Sequence, residues 1–444
     1  MTSEPSSADR TGLFDGVFAR GQLVADDGAW LRAMLAAEAS LVRALERAGV
    51  VPDGAGAAVT AAAQPGALSA ADRAEISAAT GLTGNPVPGL ARLLARKVAD
   101  PAARSAVHHG ATSQDIMDTA AMLLARDALD AVLADLRAAA EAAARLAEAH
   151  HDTLMIGRTL LQQAVPVTFG LVAAGWLAGL DSAIEWLAFV RDTRLAVQFG
   201  GASGTLASLG GDGARVKALF AEELGLADPP LPWHTERLRI IDVGACAARA
   251  CAALSKIARD VTLLAQAEVG EVKDNPVAAV AILGCARQVP GLLATLVASA
   301  EQEHQRAAGA WQAEWQPFGH LLQLAVSAAA WARDLLSHLA VDAQRMAANL
   351  ARAGGLPLAE RVTRLLRESL GGPAAHDLVA GAAARSAASG VPLRDVLLAT
   401  PRFVTALAAA GIAQAQVEQA LDPAGYLGAA QAFIAAALDA HAQG

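Results

Sequence analysis

The stretch Val107-His108-His109-Gly110-Ala111-Thr112-Ser113-Gln114-Asp115-Ile116-Met117-Asp118-Thr119-Ala120 sets histidines, hydroxyls, an amide and two carboxylates side by side in a chain otherwise rich in alanine and leucine. A long helical pattern follows at once, with Met117, Met122, Leu123, Leu129, Val132, Leu133 and Leu136 mostly on one face. Thr112 or Ser113 can cap that helix, and Asp115 in its first turn suits the positive end of the helix dipole. A group of donors at such an end can hold an anionic ligand. Capping alone needs only one of these residues, so the surplus of polar groups points to binding chemistry.

Three other segments carry similar chemistry. In Gly157-Arg158-Thr159-Leu160-Leu161-Gln162, Arg158, Thr159 and Gln162 stand just ahead of a helix predicted to open at Pro166. A guanidinium fork and neutral donors there can meet a carboxylate; the plainer reading is a loop tied down by an Arg–carboxylate pair. In Glu268-Val269-Gly270-Glu271-Val272-Lys273-Asp274-Asn275-Pro276, Lys273 and Asn275 precede a helix opened by Pro276, which makes an anion site from a Lys, an amide and free backbone N–H groups. Lys-Asp-Asn-Pro on its own is an ordinary solvated turn. Pro232-Trp233-His234-Thr235-Glu236-Arg237 adds an isolated histidine, a residue that more often supports structure than catalysis.

The elements that must position these groups are helices. Asp26 or Asp27 caps a helix with the stripe Leu31, Met34, Leu35, Glu38, Leu41, Val42 and Leu45; Glu38 lies on its apolar face and needs a partner there. Short helices follow to about residue 106, with a break at Gly84-Asn85-Pro86-Val87-Pro88-Gly89. A helix over 115–149 would run about 50 Å. Another, over 236–270, carries the seam Ile240, Val243, Ala247, Ala250, Leu254, Ile257, Val261 and Leu264, spaced for shallow packing in a bundle, with Glu268 next in line. Helices from Pro276 and over 317–352 complete the series, and Gly354-Gly355-Leu356-Pro357 breaks the chain before a set of shorter helices. Val165–Thr168 and Leu195–Phe199 are weak strand candidates. The expected fold is all-α: a disordered tail (1–11), a small helical domain (12–106), a central long-helix bundle bearing the polar segments (107–352) and a C-terminal helical domain (353–444). Helices this long and apolar lead us to expect an oligomer.

Composition narrows the function. The 444 residues carry a formal net charge of −9, which argues against nucleic acid or an anionic membrane as partner, while an anionic small molecule stays open through local cations. Hydrophobic residues make up 54%, with a single tyrosine, the profile of closely packed helices. Cys246, Cys251 and Cys285 lie in apolar patterns without metal-type spacing and read as buried thiols in a reducing compartment. The polar N-terminus lacks a signal-peptide core, and no apolar run reaches the roughly 18 residues of a membrane span. The chain is expected to be soluble and cytoplasmic.

Taken jointly, the polar segments resemble the fumarase/aspartase superfamily in order and spacing: His109-Gly-Ala-Thr-Ser-Gln-Asp with Asp118-Thr119, Gly157-Arg-Thr-x-x-Gln with Pro166-x-Thr-Phe-Gly, and Lys273-x-Asn275-Pro276. The chain is most similar to the branch of cycloisomerases that lactonise 3-carboxy-cis,cis-muconate. Lyases of the argininosuccinate and adenylosuccinate type place a histidine after Arg-Thr, where Leu160-Leu161 stands here. Pro232–Arg237, Gln302-Glu-His-Gln-Arg306 with Trp311-x-x-Glu-Trp315, and Leu421-Asp-Pro-x-x-Tyr-Leu-Gly428 also resemble that branch. The resemblance runs from about residue 13 to 436.

One departure stands out. The superfamily's mobile Gly-Ser-Ser-x-Met-Pro loop, whose serine is the proposed base in many members, should precede Lys273, yet Glu271-Val272 runs straight into it. Either the loop is deleted, or a mobile segment of the protein is missing from this sequence; the intact remaining segments favour the second reading. The resemblance implies closure of a tricarboxylate diene to a γ-lactone without metal or cofactor, in a homotetramer with sites shared between subunits. It implies carboxylate binding by Thr112, Ser113, Arg158, Thr159, Gln162, Lys273 and Asn275, with Gln114 and Arg237 also in the substrate site. His109 is the candidate for moving or orienting the proton, and His234 a weaker one. The alternatives are a lyase releasing fumarate from an N- or nitro-substituted succinate, and an inactive paralogue with an assembly role.

Overall fold

The computed structural model describes residues 12–64, 66, 68–273 and 276–443. The expected tail, and Asn275 with it, lie outside the described residues. The all-α expectation holds: helices dominate, accompanied by two small two-stranded sheets. The chain divides into two compact units, one of Met1–Arg137, Ser182–Ala258 and Val277–Arg333, the other of Ala138–Asp181, Arg259–Pro276 and Asp334–Gly444.

In the first unit, Asp26 caps the helix Asp27–Arg47 by accepting from the Ala29 N–H, and Met34, Leu35, Leu41, Val42 and Leu45 of that helix are buried. The polar stretch opens the helix Ser113–Ala149, whose Ile116, Met122, Leu129 and Leu136 are fully covered. The helix Leu238–Leu264 buries every member of the predicted seam. Each large aliphatic chain so placed stabilises the fold by about 1.5–3 kcal/mol. Leu195–Phe199 contributes only an isolated bridge, Ala196 to Ala227.

In the second unit, β1 (Leu154–Thr159) and β2 (Gln162–Thr168) form an antiparallel hairpin. Pro166 therefore sits in a strand, opposite Ile156, and the next helix starts at Phe169. A two-stranded ribbon is all edge, so a residue without an N–H fits there. A bulge between Ile156 and Arg158 falls on Gly157, where a Cβ would come within 2.5 Å of the Val165 carbonyl oxygen. The turn is made by Leu160 and Leu161, at φ 53° and 61°. A second ribbon pairs β3 (Val272–Lys273) with β4 (Ala340–Val341). The C-terminal helices enclose their own core of Val362, Leu366, Val379, Leu393, Leu397 and Phe403.

Other boundaries differ from expectation. The seam helix stops at Leu264 rather than 270, leaving Glu268 exposed in a turn. The helix expected over 317–352 is two, Ala310–His338 and Ala343–Arg352, the second capped by Asp342. The helices Phe169–Thr193 and Val277–Ala298 are long and apolar enough to cross a membrane by length and composition, although charged residues interrupt both, so that neither holds an apolar run of that length.

Candidate active site

The first unit gathers the opening stretch, the His234–Arg237 segment and the loop and helix over 299–315 around buried ion pairs. Asp115, fully buried, accepts from the backbone N–H groups of Thr112, Gly200 and Gly201, each at 2.9 Å, and lies 2.7 Å from Nε2 of His234. Gly200 must be glycine, because a Cβ there would meet Pro232 and the His234 ring at 2.7 and 2.8 Å. One turn on, Asp118 receives Arg237 through both terminal nitrogens (2.7 and 3.0 Å), the amides of Gln114 and Gln198, and Nε1 of Trp311. Arg237 also meets Glu314, at 2.7 Å in its shortest contact. Burial alone would lower the Arg237 guanidinium, but Asp118 and Glu314 outweigh it and hold its pKa above the ordinary value. Burial pushes the Glu314 carboxyl up against the pull of Arg237.

This places the expected groups in two kinds of position. Gln114, His234 and Arg237 are buried and hydrogen-bonded within the protein. Thr112 and Ser113 are half-buried at the helix start, and Thr112 Oγ1 accepts from Nη1 of Arg306 at 2.8 Å. His109 is exposed and its ring has no partner among the described residues.

The neighbouring histidine is the one built into the structure. His108 adopts φ 60°, its backbone N–H and its Nδ1 both meet Glu38, and the Nδ1–Oε1 distance is 2.7 Å. Glu38 is fully buried, so the partner that the sequence demanded for it is an imidazole. Burial works against the charged imidazole, but Glu38 prevails and raises the His108 pKa. A carboxylate on Nδ1 also leaves Nε2 as the nitrogen for proton exchange. Sequence reasoning missed this dyad, although the isolated Glu38 on an apolar face was its signal.

The second unit holds the other segments. The Gly157 bulge turns Arg158 onto Glu271 in a two-pronged pair of 2.8 and 2.7 Å. Glu271 is fully buried and also accepts from Asn349 at 2.8 Å. The carboxylate that faces a polar partner in this region is thus Glu271, not Glu268. Thr159 and Gln162 stay exposed beside the hairpin tip. Lys273 is 74% exposed in its side chain and reaches Asp342 at 3.1 Å. The Arg345 backbone N–H, followed by Lys273, lowers the Asp342 pKa. Among the described residues, no group of three or more His, Cys, Asp or Glu is arranged as metal ligands.

Comparison with known proteins places the chain in a family. The profile of a lyase family, described simply as Lyase, matches residues 22–279. A nitrosuccinate lyase of Streptomyces davaonensis is 44% identical over 92% of this chain and 90% of its own. A 3-carboxy-cis,cis-muconate cycloisomerase of Pseudomonas aeruginosa is 40% identical over 97% and 96%. The crystal structure of the 3-carboxy-cis,cis-muconate lactonizing enzyme from Pseudomonas putida superposes with a TM-score of 0.89 at 38% identity, covering 98% of this chain and 99% of that one. The Pseudomonas aeruginosa match runs over 449 positions, more than the 444 residues of this chain, so it opens gaps on this side. The chain belongs to the lyase family of the fumarase/aspartase superfamily.

Proposed function

We propose that the protein is a cycloisomerase that closes 3-carboxy-cis,cis-muconate to its γ-lactone. The observation that carries this reading is the combination of 40% identity to such enzymes along nearly the whole chain with leucines, not a histidine, at the tip after Arg158-Thr159. In the reaction one carboxylate oxygen adds to an alkene carbon, and the neighbouring carbon takes a proton. Charge builds on the carboxylate beside that carbon, where fixed donors must meet it; Thr112 and Ser113 of the first unit, and Thr159, Gln162, Lys273 and Asn275 of the second, are the groups we assign to substrate carboxylates. Arg158, held by Glu271, orients the hairpin that presents Thr159 and Gln162. His108, paired through Nδ1 with Glu38, is the proton carrier we favour over His109.

The same groups would also serve elimination from a nitrosuccinate, which expels nitrite and leaves fumarate; the 44% identity to the Streptomyces davaonensis enzyme favours this second reading. Loss of the conjugated diene absorbance on adding 3-carboxy-cis,cis-muconate tests the first, and nitrite release from nitrosuccinate tests the second. Diene loss without nitrite supports the cycloisomerase; nitrite release without diene loss replaces it with the lyase. Neither signal, from folded protein, would point to the loop-deleted, non-catalytic reading.

We further propose a cytoplasmic homotetramer with sites shared between subunits. Its support is the exposed apolar surface on two helices: Trp186 stacked on Phe189 in one, and Val277, Val280 and Val297 in the other.

A further inference from the structure

Two arginines that the sequence offered to the substrate are engaged inside the protein: Arg237 between Asp118 and Glu314, and Arg158 on Glu271. Arg306 is not. Among the described residues it forms no ion pair, and its one hydrogen bond goes to a neutral acceptor, Thr112 Oγ1, at 2.8 Å. The carboxylates of the same cluster have no capacity to spare for it. Asp115 is taken by three backbone N–H groups and His234, and Asp118 by Arg237, two amides and an indole.

The guanidinium is held rather than loose. It is half-buried, with its carbon 5.8 Å from the centre of the Trp311 ring, and that ring is fixed by its own bond to Asp118. The loop that carries it is pinned at several points. Gln302 donates to Ser299 O and Glu314, Thr235 donates to His304 O, and the Ala308 N–H donates to Glu303. Within it His304 is kept at φ 47°, a left-handed conformation that a histidine holds only when its surroundings impose it. A partly buried guanidinium with one neutral partner has most of its donor fork unanswered, an arrangement that a planar anion completes.

We infer that Arg306, together with the Thr112 hydroxyl it already holds, binds a carboxylate of the substrate and so selects for polycarboxylates. This rests on the anionic-substrate reading above but not on the lactonisation itself. An unreactive tricarboxylate, propane-1,2,3-tricarboxylate, tests it by calorimetric titration of the intact protein without any turnover. Arg306→Ala should weaken that binding about 10- to 100-fold. Arg306→Lys, which keeps the charge and loses the fork, should weaken it less. Both should keep the wild-type circular dichroism; if the alanine variant does not, the lysine variant carries the comparison. Wild-type affinity in a folded variant overturns the inference. Should the wild type bind succinate but not the tricarboxylate, and Arg306→Ala lose the succinate, Arg306 keeps its role and the tricarboxylate reading falls. A wild type that takes up neither anion overturns both.

Discussion

Nδ1 of His108 lies 2.7 Å from Oε1 of Glu38, and the carboxylate in that pair is fully buried while the imidazole is partly open. The pairing joins a helix near the N-terminus to the polar stretch, and it turns an ordinary histidine into one that keeps its proton to higher pH.

The first prediction follows from that direction. With Glu38→Gln the His108 pKa should fall, so the alkaline limb of the rate–pH profile should move to lower pH. Stability moves in the same sense. Because the folded pKa lies above the unfolded one, the pair's contribution is complete below about pH 6.5 and disappears as pH rises through the folded value. Denaturation midpoints of wild type and variant should therefore differ more at pH 5.5 than at pH 9. Unchanged pH profiles would remove His108 from the mechanism.

A second prediction concerns Arg237, which is 2% exposed between two carboxylates. Arg237→Ala leaves Asp118 and Glu314 facing each other without a counter-charge, and should cost about 3–5 kcal/mol. Urea titration would show this as a lower midpoint with an unchanged slope.

The hairpin tip gives a third. Leu160 and Leu161 both occupy the left-handed region, where a two-residue turn favours Asn-Gly, and they are 96% and 76% exposed. Leucine there costs about 1–2 kcal/mol per residue in backbone strain. The double variant Leu160→Asn, Leu161→Gly should melt at higher temperature and turn over more slowly. Strain kept at such a position has a functional reason. A variant both more stable and fully active would show that the leucines serve neither substrate nor assembly.

The fourth is Lys273→Ala. The Lys273–Asp342 pair is exposed and screened by solvent, so the thermal midpoint should barely move. Turnover should be abolished, because this ammonium is assigned to the developing charge. A near-normal rate would remove Lys273 from the site.

Much of this was legible in the sequence, for reasons that differ by element. The seam from Ile240 to Leu264 was readable because helical periodicity and burial are one fact seen twice. The polar stretch was readable because its residue types exceed what a cap requires. The β1–β2 hairpin was not: Pro166 suits a helix start and a strand edge equally, and only pairing with Ile156 decides between them. Which histidine of His108-His109 turns inward depends on one positive φ, and local composition does not encode that angle. Extending the seam reaches Glu268, but the helix ends at Leu264, so the packed stretch closes there and the buried carboxylate is Glu271. Arg306 was visible only as part of a resemblance, since its importance comes from the partners it lacks.

Asp115 ties together pieces of chain 85, 86 and 119 residues apart through Gly200, Gly201 and His234. None of these bonds can form while a helix grows; each requires a long loop to close first. In a refolding experiment helical signal should therefore return well before catalysis, and the part of that interval that does not shorten with protein concentration, and so is not subunit assembly, includes the time this single carboxylate waits for its partners to arrive.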